Sequence, residues 1–300
     1  MTSFPGALAG WFLCAALVTS LGSLAARFFV LPRIGVTPEG AHDWLRSAAG
    51  RQATLGAALL PLALVLVFHR QLVEFRDPFV PWTEDARLLL GATAWGTTWL
   101  VGAGTALLAA AALVFAARGA RVGWLVGGAA VLGLAAFPAF TGHASTAGPL
   151  RPLTLAADTV HVLAAGGWVG TLGFLLYAER GWRRSGGVGG GSLLPVLVPA
   201  FSPLAVACVA ALVVTGLLAA WMHVPNVGAL VSTPYGRTLS LKLLLVAVVA
   251  GIGFVNWRRL TPRLAEGPGH AALRRSAGAE LLVAQAVLLV SAVLARTPPP

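Results

Sequence analysis

Apolar runs long enough to cross a bilayer recur eight times along this chain, near residues 5–31, 52–72, 86–117, 122–142, 154–178, 195–223, 236–258 and 275–295. A hydrocarbon core about 30 Å thick takes about 20 apolar residues, and within it each backbone N–H and C=O must be bonded inside the protein. Such runs therefore fold as helices. The expected fold class is all-α: a polytopic membrane protein, a bundle of eight transmembrane helices. The first run lacks a basic leader and a small-residue cleavage site, so it reads as a retained span. With 57% hydrophobic residues against 10% charged, the chain has too little polar surface for a soluble globule. Cys14 and Cys208 lie singly in apolar runs, which excludes a disulfide scaffold and a zinc ribbon.

The formal charge of +11 becomes informative once it is divided among the loops. Thirteen arginines, including Arg33, Arg118, Arg183 and Arg275, fall in or beside the odd-numbered loops, against five for the even-numbered ones. Positive residues stay cytoplasmic, so the odd loops face inward and both termini face out. The basic balance is thus a topology signal, and no nucleic-acid partner is expected.

That orientation gives the histidines a depth. His69, His143, His161 and His223 come from four different spans and all reach the outer boundary, with Met222 beside His223. On span five, Asp158 and His161 are three residues apart and Trp168 follows seven later, so the three share a helical face. A carboxylate beside an imidazole either ligates a metal with it or fixes its tautomer. Gly166 and Gly170 form a G-x-x-x-G, first of all a surface for close helix packing. Span four ends Phe137-Pro138-Ala139-Phe140-Thr141-Gly142-His143, where Pro138 breaks the helix and Gly142 lets it turn His143 over the bundle.

Span six carries Cys208, Thr215 and Met222 at intervals of seven, a stripe that reads more readily as packing than as a conduit. Lys242, the chain's only lysine, lies about 9 Å inside span seven at 1.5 Å per residue. An ammonium at that depth snorkels or takes a carboxylate partner, and Asp158 is the acidic residue in the outer half of the spans. Glu280 falls in the inner half, where a cytoplasmic arginine is its expected partner. Imidazoles with a carboxylate and a thioether suit copper and, less selectively, zinc; magnesium and calcium prefer oxygen-rich cages. Such ligation needs neutral rings, so metal binding should weaken as pH falls through about 6.5.

Several ordered motifs resemble the CopD family of copper resistance membrane proteins. They are Asp158-x-x-His161 with Gly167-Trp168-Val169-Gly170, Gly142-His143-Ala144, Ala200 to Ala205, Thr215-Gly216, Thr233 to Arg237 with Lys242, Asn256-Trp257-Arg258, and Leu273 to Glu280. The resemblance spans residues 137–300, a CopD-like region, and leaves 1–136 as an N-terminal region that shares only the four-helix design. It implies a bacterial inner-membrane protein that handles a copper ion, imports it, and works with a periplasmic carrier of the CopC type. It places His143, Asp158, His161, Trp168 and Lys242 on family motif positions; His69, Met222 and His223 join them from topology alone. Catalytic motifs such as H-E-x-x-H, G-x-S-x-G and the P-loop are absent, so a transport or metal-binding protein is expected in place of an enzyme. A b-type haem or quinone redox protein is the alternative, with His143 and His161 as axial ligands. A purely structural subunit is a third reading.

Overall fold

The computed structural model describes residues 4–142, 148–186, 191–262 and 269–300. Among them eight helices are long and apolar enough to cross a membrane: α1 (Gly6–Arg33), α2 (Ala41–Phe75), α4 (Ala94–Ala117), α5 (Arg121–Thr141), α6 (Gly148–Arg184), α7 (Leu194–His223), α8 (Pro234–Leu260) and α9 (Gly269–Leu294). A shorter helix, α3 (Trp82–Ala92), precedes α4. The eight-span reading therefore holds, with two boundary corrections.

The run expected at 86–117 is two helices. Thr93 is extended, and its hydroxyl accepts from the Gly96 N–H at 2.9 Å, capping α4 and ending α3. The short α3 buries Asp85 and Leu89, and Asp85 pairs with Arg76 from the end of α2. Helix α2 also begins eleven residues earlier than its apolar run. Its first three turns bury Ala41, Leu45, Ala48, Ala49, Gln52 and Ala53 along one stripe, while Arg46 and Arg51 interleave on the exposed side and lower the local hydropathy.

Helix α1 is the hub of the bundle, packing against α2, α6 and α9. Its closest approach is to α6, at Gly22 and Gly170. A Cβ on Gly22 would lie 2.1 Å from the Gly170 carbonyl carbon, and one on Gly170 would lie 1.9 Å from the Val18 oxygen. Gly166 abuts Leu21 in the same way. The G-x-x-x-G of span five is thus the seat of α1, and it falls in a π-helical turn, Gly166–Gly170, within α6.

Burial differs sharply between spans. The apolar window of α1 is 61% buried, against 11% for α7 and for α8. Helix α7 packs on α6, and α8 packs on α9, whereas α7 and α8 scarcely touch each other. At the inner end, fully buried Glu179 organises the start of α7: it accepts from the Leu193 N–H and the Ser192 hydroxyl, both at 2.8 Å, and from Arg274 of α9 at 3.4 Å.

Candidate functional site

The N-terminal half of α6 packs on α7 and carries polar side chains that hydropathy alone would not place together. His161 Nδ1 lies 2.8 Å from the Thr215 hydroxyl of α7. The same hydroxyl lies 2.7 Å from the Ala211 carbonyl of its own helix. With the Thr215 proton on Ala211, the hydroxyl accepts from Nδ1–H and Nε2 keeps its lone pair; with Thr215 donating to Nδ1, the roles reverse.

Asp158 sits one turn outward from His161 on the same face of α6. Lys242 of α8 lies within electrostatic reach of Asp158, His161 and Cys14 of α1, so the charge partner expected from its depth is in its neighbourhood. Asp158 also acts on Tyr235, which lies two turns before Lys242 and is itself buried. His223 stacks on the Tyr235 ring at 6.1 Å between centroids. Its Nδ1 lies 2.8 Å from the Ala219 carbonyl, an acceptor only, so this ring carries its proton on Nδ1 and turns Nε2 outward. Met222 is beside it and half-buried.

The sequence-derived residues accordingly separate. Asp158, His161 and Lys242 gather in one polar cluster, which Tyr235 connects to His223. His69 is exposed near the end of α2, a helix packed on α1, α4 and α6, and it lies apart from this cluster. His143 lies outside the described residues. Trp168 is two turns along α6 from His161 and lines the same cavity as Glu280, whose carboxyl accepts from Asn256 Nδ2 at 2.8 Å. The arginine expected beside Glu280 is engaged elsewhere: Arg274, six residues earlier and therefore on another face of α9, binds Glu179 instead. Among the described residues, no three of His, Cys, Asp and Glu come together as a complete metal cage.

Three members were missed as site residues. Thr215 had been assigned to a packing stripe, Tyr235 belonged only to a motif, and Cys14 had been set aside for lacking a CxxC partner. The usable signal was the spacing of seven that places Tyr235 and Lys242 on one face.

Fold and cluster together define a polytopic helical membrane protein with an ionisable site among its spans. Residues 195–294 match the family model described as CopD: Copper resistance protein D, so the CopD resemblance is borne out over the last three spans. The chain is also similar to the copper transport protein CutJ of Bacillus subtilis (strain 168), 27% identical over 213 residues. That similarity covers 69% of this chain and 38% of the relative, so the chain spans well under half of the protein it matches. No solved structure matches it.

Proposed function

We propose that this chain takes copper from the outer side of a bacterial inner membrane into a site formed by His161 and Asp158, with His143 as the further imidazole. The observation that carries this reading is the Thr215 contact at His161 Nδ1: when Thr215 bonds Ala211 and accepts the Nδ1 proton, Nε2 is left to ligate a metal. A carboxylate one turn away and a second Nε2-presenting ring at His223 give a donor set suited to copper as transported substrate. Lys242 offsets the Asp158 charge while the site is empty and repels a bound cation, which favours its onward release. The copper-related relative and the CopD match support the substrate, and a periplasmic CopC-type protein is the proposed donor.

Copper analysis with an optical spectrum on purified protein tests the reading. Bound copper that is lost in a His143→Ala, His161→Ala double variant supports it; unchanged stoichiometry, or a Soret band in place of copper, overturns it. Thr215→Val keeps the side-chain shape and removes the acceptor for Nδ1. Copper affinity is then expected to fall roughly ten- to hundredfold, the usual effect of removing a partner that orients a ligand.

The arginine distribution supports a topology with both termini outside. A reporter active only in the cytoplasm, fused after Pro300, is expected to be silent, and its activity would reverse the inward and outward faces of the site.

A further inference from the structure

Between the inner halves of α7, α8 and α9 lies a cavity of about 480 Å³. Trp168, Phe201, Phe254 and Trp257 supply aromatic walls, and Asn256 and Glu280 form its polar end. Both polar residues are more than nine-tenths buried. The Asn256 amide presents Nδ2 to the Glu280 carboxyl, as a donor facing an acceptor must, and this leaves Oδ1 without a hydrogen-bond partner. A buried acceptor left unsatisfied is costly and calls for an explanation.

The Ser202 hydroxyl donates to the Val198 carbonyl and the Thr261 hydroxyl to the Asn256 carbonyl, so neither reaches Oδ1. The unmet group at the polar end is therefore an acceptor, and it calls for a head that donates. What fits is a head that donates, a ring that packs among indole and phenyl faces, and a hydrocarbon tail that leaves toward the lipid. We propose that this cavity binds a membrane quinol, with a phenolic hydroxyl donating to Asn256 Oδ1 and the ring between Trp168 and the α8 aromatics. The site is distinct from the outer cluster and does not depend on copper binding there.

The test uses the full chain in lipid nanodiscs with decylubiquinol as probe, followed by native mass spectrometry under reducing conditions. The quinol is expected to be retained. Its dimethyl ether, which has the same body without either donor, should bind roughly two- to tenfold more weakly, the effect of one neutral hydrogen bond. Asn256→Ala should erase the difference between the two probes. Ala250→Trp, at an exposed position lining the cavity, should reduce retention of both without disturbing the core. Equal binding of quinol and ether by the unaltered chain would overturn the proposal, as would preferential retention of dioleoylglycerol over the quinol. Copper stoichiometry measured on the same samples keeps this outcome separate from that of the outer site.

Discussion

Gly170→Val is expected to remove nearly all of the folded protein from the membrane. A Cβ there would lie 1.9 Å from the Val18 carbonyl oxygen and 2.9 Å from Gly22 Cα, so the obstacle is backbone on the opposing helix. Side-chain overpacking typically costs about 1–3 kcal/mol, and a clash that only separation of α1 from α6 can relieve belongs at or above the top of that range. Because α1 is the hub, the separation also disturbs α2 and α9. Gly173→Val is the matched control: it lies on the same helix, and its Cβ meets nothing within 4 Å. Membrane abundance and thermal midpoints of the two variants provide the comparison. Equal behaviour would mean that the crossing tolerates a side chain.

Glu179→Ala should be the other severe change. It leaves Arg274 without its carboxylate and the Leu193 N–H without its acceptor, at the point where α7 enters the bundle. Removing one member of a buried pair costs about 3–5 kcal/mol; Arg274 is 26% exposed and can turn toward water, which favours the lower end. Glu179→Gln keeps an acceptor oxygen for the helix start and loses only the charge, so its loss should be smaller. Detergent-resistance midpoints that rank alanine well below glutamine would assign part of the effect to capping; identical midpoints would assign it to the charge alone.

The eight spans were legible because the bilayer imposes a length and an apolarity that composition records directly. The α2 boundary was hidden because a helix can bury alanines on one side while carrying arginines on the other, so a windowed average sees neither face. The break at Thr93 was hidden for the opposite reason: a single hydroxyl capping Gly96 ends one helix and starts another without any drop in hydropathy. At the site, Asp158 and His161 were readable because they share one helix. The role of Thr215 was not, because it depends on a contact across 54 positions of sequence and on whether its proton goes to Ala211 or to the imidazole. Glu280 was misassigned because periodicity gives a residue's face but not its neighbours, and Arg274 of α9 turns toward Glu179.

The sparse packing between α7 and α8 has a mechanical meaning. His161 and Thr215 are mounted on α6 and α7, whereas Lys242 and Tyr235 are mounted on α8, which packs on α9. The imidazole and the ammonium thus sit on two helix pairs that meet near the site at the stack of His223 on Tyr235. The separation of the two charges is set by how the pairs dock, and not by the packing within either one.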